Sequence, residues 1–454
     1  MFLAIFTILL LFANIYFFTQ KKYPYLFIPC MLFLPDYYGI EVSDSLPIFS
    51  ATRIMFIVLY FYSFINRDHN VTLKSIKLKN ITKELYFLAF YFILRSISNL
   101  YYITTYTQAA KTILSIVFEQ LFLLIAFYYL NPSKEEIINI IKSIVWSATV
   151  LFIIGILESI TYFRLFDELY TISRETLNIY YIRLGFLRAT TTMGMPGFYG
   201  NMCILVTPLI IYLYHLTHKQ IYIGVCFLNI LAIIHSGCRS DIIFYIAIIL
   251  YYFILNIRNK ESRLRIMKNA TVIVVSLMAW VFILSIISPR LNYYYLGTAK
   301  STLNSIGFHF DLDEGAPDGV IGYGDNKDGN YSRTMQFSGM QYVAKTKPIF
   351  GYVSGAQVRG GIHYSYYGKD YILHSYDTGI VEVFCDEGII GIIGVLSLMI
   401  FAMISSHNKT YYRLATISYI LSTFSTSNMY RFLFVFIVLF GLYYSFNDAK
   451  NITK

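Results

Sequence analysis

Apolar runs long enough to cross a lipid bilayer recur along most of the chain, and they limit its fold more than any other feature. Residues 270–288 and 379–404 are the clearest examples, and polar residues bound each of them. A spanning helix needs about 20 mostly apolar residues. The bilayer core supplies no water to backbone groups, so only helices or closed barrels can cross it, and runs of this length favour helices.

The hydropathy pattern predicts about thirteen spans. Residues 2–19 have no basic segment before them, so we expect a retained helix there rather than a cleaved signal. The predicted spans are residues 2–19, 23–40, 51–65, 84–98, 111–130, 140–160, 197–214, 220–235, 241–256, 270–288, 379–404, 411–426 and 430–446.

Composition points to the same class of protein. Hydrophobic residues make up 57% of the chain and charged residues only 14%, whereas a soluble domain has about 45–50% apolar and about 25% charged residues. These proportions exclude a soluble, a disordered or a disulfide-stapled secreted protein. We therefore expect an all-α polytopic integral membrane protein with about 11–14 transmembrane helices. The expected divisions are a first part of the bundle at 1–288, a large extracytoplasmic loop at 289–378 and the last helices at 379–454.

The net charge of +10 comes from basic residues that divide between the two sides of the predicted bundle. Short connectors rich in lysine and arginine mark the cytoplasmic side of a membrane protein. Placing the connectors at 21–22, 74–83 and 258–268 inside puts the N-terminus outside and the C-terminus inside. The loop 289–378 then lies outside.

The two basic residue types separate in this topology. Fourteen of the twenty lysines lie inside, and eleven of the sixteen arginines lie outside. The guanidinium group matches phosphate bidentately, so outer arginines suggest an anionic ligand. Lipid headgroups and loop acids are the alternative partners, and we favour them for Arg164 and Arg174.

Two motif segments on the outer side lead into predicted spans. Residues 188–200, RATTTMGMPGFYG, combine glycines and hydroxyls that let donors approach a ligand closely; the alternative is an ordinary turn with Pro196 at the start of a helix. Residues 236–241, SGCRSD, form a tight turn that puts Arg239 at the membrane boundary. A charge there is costly unless it is paired or hydrated, so Arg239 is either a functional residue, a partner of Asp241 or a snorkelling side chain.

Two further segments lie in the large loop and at its end. Arg333 begins a predicted helix that runs to Lys347 and is followed by PIFG at 348–351. His374, in the segment LHSYD, precedes several acidic residues and the return of the chain into the membrane. A histidine there can act as a general base near neutral pH, although a lone histidine is more often structural.

In this order, the segments at 188–200, 236–240, 333–336, 348–351 and 374–394 resemble the O-antigen polymerase and O-antigen ligase family of bacterial envelopes. Proteins of that family have many spans and one large extracytoplasmic loop before the last helices. The chain departs from the family pattern in having serine, where asparagine is commoner, after the histidine. An acidic insert in the loop is a second departure.

The resemblance implies an inverting, metal-independent membrane glycosyltransferase with a GT-C-like fold and no cofactor. The donor would be a glycan on undecaprenyl pyrophosphate. The acceptor hydroxyl would belong to another lipid-linked repeat unit, in an O-antigen or capsule polymerase, or to lipid A core, in a ligase. Arg239 and Arg333 would stabilise the pyrophosphate, and His374 would take the acceptor's proton. The candidate substrate-binding residues are Arg188, Ser240 and Tyr376.

The same resemblance implies a multi-pass protein of the bacterial inner membrane with its active site facing the periplasm. Its expected partners are the lipid-linked oligosaccharide and the bilayer, with a chain-length regulator and a flippase as candidate protein partners. Nucleic acid is not an expected partner.

A lipid-linked glycan flippase is the alternative of another class. A transporter is expected to have internal repeats and broken helices with charges near the membrane midplane. The sequence has no evident repeat, and Glu119, within a span, is the residue that favours this alternative. A simpler interpretation makes Glu119 and Glu158 buried partners of Lys111, Arg164 or a tyrosine hydroxyl.

The acidic insert contains hard oxygen ligands at 325–330, DNKDGN, of the kind that Ca²⁺ prefers. It lacks the EF-hand spacing and the bidentate glutamate of such a site. We therefore favour a solvated loop and expect no metal.

Overall fold

The computed structural model describes residues 2–41, 43, 47–66, 83–172, 179–318, 320, 329–356, 359–366, 368–373, 376, 378–407 and 409–425. This part of the chain is mostly helical, with three short antiparallel hairpins. The helical class predicted from the sequence is confirmed.

The helices are numbered in chain order. They are α1 (Phe2–Thr19), α2 (Phe27–Phe33), α3 (Ala51–Ile65), α4 (Lys83–Leu100), α5 (Thr107–Ser115), α6 (Phe122–Leu130), α7 (Lys134–Thr161), α8 (Pro196–Thr217), α9 (Ile221–Ser236), α10 (Arg239–Leu255), α11 (Lys260–Ile287), α12 (Pro289–Asn304), α13 (Gly329–Thr346), α14 (Gly379–Ser405) and α15 (Thr410–Ser425). A π-helical turn, Ile116–Leu121, joins α5 to α6. The strands are β1 (Gly39–Ile40), β2 (Phe49–Ser50), β3 (Ile182–Arg183), β4 (Phe186–Leu187), β5 (His363–Tyr366) and β6 (Lys369–Ile372).

Five helical stretches among the described residues are long and apolar enough to cross a membrane. They are Thr107–Leu130, α7, α8, α11 and α14. Shorter apolar helices accompany them at Leu3–Thr19, Tyr23–Phe33, Ala51–Ile65, Leu85–Leu100 and Ile221–Ser236. These lengths are compatible with a membrane protein. The predicted span 430–446 lies outside the described residues.

The prediction of a span at 23–40 is wrong. Residues Tyr23–Tyr25 form a 3-10 turn, and α2 is only 7 residues long. The backbone at Leu34 is extended, since the following proline disfavours helical geometry, and the chain continues into β1. At about 1.5 Å per residue this stretch cannot cross the apolar core of a bilayer.

Helix α8 lies at the centre of the bundle. Of its most apolar 18 residues 72% are buried, and it packs against α7, α9 and α15. Helix α4 packs along α14, the most extensive contact between two helices in the described chain. The two contacts matter for the site because α8 and α14 each begin within a segment that the sequence singles out, 188–200 and 374–394.

The predicted loop 289–378 contains structure of its own. Helix α12 packs with the β3–β4 turn through buried tyrosines, among them Tyr294. Helix α13 and the β5–β6 hairpin pack against the first turns of α14 through a separate cluster that includes Val343 and Ile362. The two halves of the loop therefore rest on different parts of the bundle.

Candidate functional site

The fold brings the first two motif segments together. The side chain of Arg188 donates through Nε to the carbonyl oxygen of Ser236, at 2.9 Å, and its Nη2 lies 3.0 Å from Cys238 Sγ. The backbone N–H of Ala189 donates to the carbonyl of His235, also at 2.9 Å. The chain entering α8 is thus fastened to the turn between α9 and α10.

A close approach between α8 and α10 explains one glycine of the motif. A Cβ on Gly200 would clash with the carboxylate of Asp241 and would lie 3.0 Å from Ser236 Oγ. Asp241 is fully buried and accepts a hydrogen bond from the hydroxyl of Ser425. Gly200 therefore leaves the space in which the buried carboxylate lies.

Replacement of Gly200 by alanine should destabilise the protein by about 1–3 kcal/mol, because the new methyl group overpacks this contact. Thermal unfolding of the purified protein in detergent measures the effect. In an Asp241→Ala background the same substitution should cost much less, because the obstructing carboxylate is gone. Equal costs in the two backgrounds would contradict the proposed contact.

Three arginines converge on the turn at 236–239. Arg183 Nη1 donates to the carbonyl of Gly237, and Arg188 donates to that of Ser236. Arg239 is the first residue of α10 and is half-buried. The guanidinium groups of Arg183 and Arg188 thus stabilise the turn through its carbonyls, and the turn leads directly to Arg239. Ser240, the residue after Arg239, has its hydroxyl oxygen 3.3 Å from that of Ser425.

Helix α14 is broken at Gly388, which has φ 67° and ψ −157°. The PIFG segment fills the break. The two backbone N–H groups after Gly388 donate to the carbonyls of 348–349, at 2.8 and 3.3 Å. The carbonyls of 385–386 accept from the N–H groups of 352–353, each at 2.8 Å. The loop segment thus satisfies the polar groups that the break leaves exposed inside the bundle.

Tyr376, a predicted substrate-binding residue, is buried, and its hydroxyl donates to Asp386 Oδ1 at 2.8 Å. Burial raises the pKa of Tyr376, and the negative charge of Asp386 raises it further, so the phenol stays protonated and remains a donor. The contact ties the end of the large loop to α14, and the predicted substrate-binding role of Tyr376 stays a prediction.

Two of the predicted catalytic side chains cannot be described. His374 lies outside the described residues. Arg333 belongs to the first turns of α13, but its side chain is also outside the described part. Their predicted roles stay predictions. Helix α13, which contains Arg333, packs against α14, and Tyr376, two residues after His374, contacts α14 through Asp386.

A cavity of about 370 Å³ lies beside the break in α14. Its walls come from α3, α4, α5, the π-helical turn, α14 and α15, and they include three cations. These are Arg53, Arg95 and Lys111. Acidic residues from the start of α14, Glu382, Asp386 and Glu387, form the facing wall. Such a charged cavity among apolar helices is a candidate functional site.

Arg95 and Arg53, which line the cavity, each form an ion pair. Arg95 Nε and Nη2 donate to the two carboxylate oxygens of Glu387, at 2.8 and 2.6 Å. Arg53 Nε donates to Glu119 Oε1 at 2.6 Å, and Ser115 Oγ donates to Oε2 of the same carboxylate at 2.8 Å. Both pairs link helices that are far apart in the chain.

The end of α15 separates the cavity from the arginine turn. Thr423 lines the cavity, whereas Ser425 contacts Ser240 and Asp241. Two residues apart in a helix correspond to a rotation of about 200°, so the two side chains lie on opposite faces. The cavity and the arginine turn therefore lie on opposite faces of the end of α15, next to each other in the fold.

The cavity was not predicted, although the sequence contains charged residues within apolar spans that indicate such a site. Arg53, Arg95 and Lys111 are basic residues within the predicted spans 51–65, 84–98 and 111–130, near their outer ends. Glu119 was expected to have a buried partner, and that partner is Arg53 rather than Lys111. The carboxylate of Glu158 accepts hydrogen bonds from the backbone and side chain of Thr190 and the backbone of Thr191. Arg164 pairs with a loop acid, as expected, with Nε 3.0 Å from Asp167 Oδ1.

The acidic insert is only partly described. Glu314 pairs with Lys300, at 3.2 Å, and its neighbours 325–328 lie outside the described residues. Among the described residues, no group of three or more His, Cys, Asp or Glu side chains is arranged to hold a metal ion.

Three comparisons with known proteins give no match: a scan against protein-family models, a search of curated proteins and a search of solved structures. The family resemblance therefore depends on the motif residues alone, and the function built on it is a proposal.

Proposed function

We propose that the protein is a bacterial inner-membrane glycosyltransferase that polymerises lipid-linked oligosaccharide repeat units, for O-antigen or capsule. The observation that carries the proposal is the convergence of the segments 188–200 and 236–241, in which Arg188, together with Arg183, contacts the turn that leads to Arg239. A cluster of guanidinium groups at a span boundary suits a lipid pyrophosphate. The active site would face the periplasm.

The proposed reaction is an inverting transfer. The acceptor hydroxyl attacks the anomeric carbon of the donor glycan while its bond to the pyrophosphate oxygen breaks. His374 would take the proton of the acceptor hydroxyl, and undecaprenyl pyrophosphate would leave with the electron pair. Arg239 and Arg333 would stabilise the negative charge that develops on the leaving group. The order of the motifs supports these roles.

Replacing Arg239 by alanine should reduce polymerisation by about 100-fold, because a cation that stabilises developing charge is lost. Arg333→Ala and His374→Ala should have comparable effects. Surface glycan in a complemented deletion strain should then shorten from a ladder to a single repeat unit, with the amount of membrane protein unchanged. A gel of surface polysaccharide measures the chain length.

Arg413→Ala is the matched control, since Arg413 lies beside His407 near the opposite end of α15 and should leave the ladder unchanged. An unchanged ladder in all three test variants would reject the assignment. Loss of all attached O-antigen, rather than of chain length, would indicate a ligase.

The broken helix α14 and its buried Arg95–Glu387 pair favour a second candidate, a lipid-linked glycan flippase. The two functions differ in the face of the membrane on which the lipid-linked intermediate accumulates. A deletion strain should accumulate lipid-linked single units on the outer face if the protein is a polymerase, and on the cytoplasmic face if it is a flippase. Access of a membrane-impermeant sugar-oxidising reagent to intact cells distinguishes the two.

A further inference from the structure

Helix α11 leaves an open groove on the other side of the bundle. Only 6% of its most apolar 18 residues are buried, against 61% for α7, although both helices have 28 residues. Between α9 and α11 lies a cavity of about 680 Å³. This cavity shares no lining residue with the cavity beside α14.

One end of the groove is cationic. Its lining includes Arg265, Lys268 and His218 and contains no carboxylate. Arg265 Nη1 lies 3.3 Å from His218 Nδ1; since a guanidinium can only donate, that ring nitrogen accepts. Both cationic side chains are exposed, so their donors can reach a ligand.

The rest of the groove is apolar and has room. Ile223 and Phe227 line it on α9, and Val272 and Ile273 line it on α11. Gly224 faces the groove with no atom within 4 Å of the position of a Cβ. The groove therefore combines a cationic end with an apolar passage that continues along the helices.

We propose that this groove binds an anionic phospholipid, with its phosphate at Arg265 and Lys268 and its acyl chains along Gly224 and Phe227. Charge complementarity identifies the occupant: two cations without an acid fit a phosphate, and the adjoining apolar walls fit hydrocarbon chains. The short basic connectors at this end place it at the cytoplasmic surface, where anionic headgroups lie. The proposal does not depend on the glycosyltransferase function.

Native mass spectrometry of the purified full-length protein tests the proposal with phosphatidylglycerol and phosphatidylcholine of identical acyl chains. The wild-type protein should retain phosphatidylglycerol about tenfold better or more. The variant R265Q/K268Q should lose this preference. G224F should reduce retention of both lipids, because the phenyl ring would occupy the groove. The protein should still fold, because no atom lies within 4 Å of the position of a Cβ on Gly224.

The matched control K260Q/R263Q removes the same charge from α11 at residues that do not line the groove, and it should keep the preference. An undiminished preference in R265Q/K268Q would overturn the proposal. Protection from thermal unfolding by glycerol phosphate alone, equal to that by phosphatidylglycerol, would also overturn it, because a free anion would then be the ligand. A dimer that forms at this face and excludes lipid would do the same.

Discussion

Replacement of Glu387 by alanine should lower the free energy of unfolding by about 3–5 kcal/mol, because it leaves a buried guanidinium without its counter-charge. The carboxylate of Glu387 is 2% exposed and accepts two hydrogen bonds from Arg95. A third comes from Asn99 Nδ2, at 3.3 Å. The same arginine also donates to the hydroxyl of Tyr91, at 3.2 Å, so the loss would disturb the whole contact between α4 and α14.

The double variant Arg95→Met/Glu387→Met distinguishes the cost of an unpaired charge from the cost of lost packing. Removing both charges together avoids the unpaired ion, so most of the lost stability should return. Thermal and denaturant unfolding in detergent measures the single and double variants. A double variant as unstable as Glu387→Ala would show that the cost arises from lost packing rather than from an unpaired charge.

Replacement of Gly388 by alanine should be comparably severe, at about 2–6 kcal/mol. The backbone of Gly388 occupies a region that is essentially restricted to glycine, which costs other residues about 1–3 kcal/mol. The new Cβ would also clash with the carbonyl of Ile349 and lie 2.7 Å from that of Pro348, and such overpacking adds about 1–3 kcal/mol. The PIFG segment would have to leave the break, and little folded protein should be recovered from the membrane.

Gly224→Ala is the matched control for this substitution. Gly224 lies within α9 and faces open space, so alanine should be neutral or stabilise the helix by about 0.5–1 kcal/mol. Yield of monodisperse protein and its melting temperature compare the two variants. Wild-type behaviour of Gly388→Ala would mean that α14 is continuous at this residue.

Much of the secondary structure could be predicted because it depends on neighbouring residues. The predicted span 51–65 coincides with α3, and the span 379–404 with α14 to within one residue. The span predicted at 23–40 was wrong because the prediction gave its apolar content more weight than its prolines. The break in α14 was not predicted, since a glycine within an apolar run does not show which segment of the chain will pack against it.

The candidate site could be predicted only in part. The motifs at 188–200 and 236–241 were recognised separately, and their convergence follows from packing of α8 against α9 and α10. The cavity could not be predicted, because Arg53 and Arg95 lie in different predicted spans and their partners lie elsewhere in the chain. The predicted substrate-binding role of Tyr376 stays a prediction, and the hydrogen bond from its hydroxyl to Asp386 was not evident from the sequence.

The sequence by itself determined the apolar helices, their approximate ends and the segments that carry arginine, glycine and histidine. These depend on hydrophobic length and turn residues, which act over a few positions. Only the tertiary structure decided which charges pair, as Arg95 does with Glu387 across 292 positions, and which loop fills the break at Gly388. The physical reason is that a buried charge or polar backbone group must find a partner inside the bundle, and several partners are chemically equivalent in the sequence. Packing of the helices selects one of them.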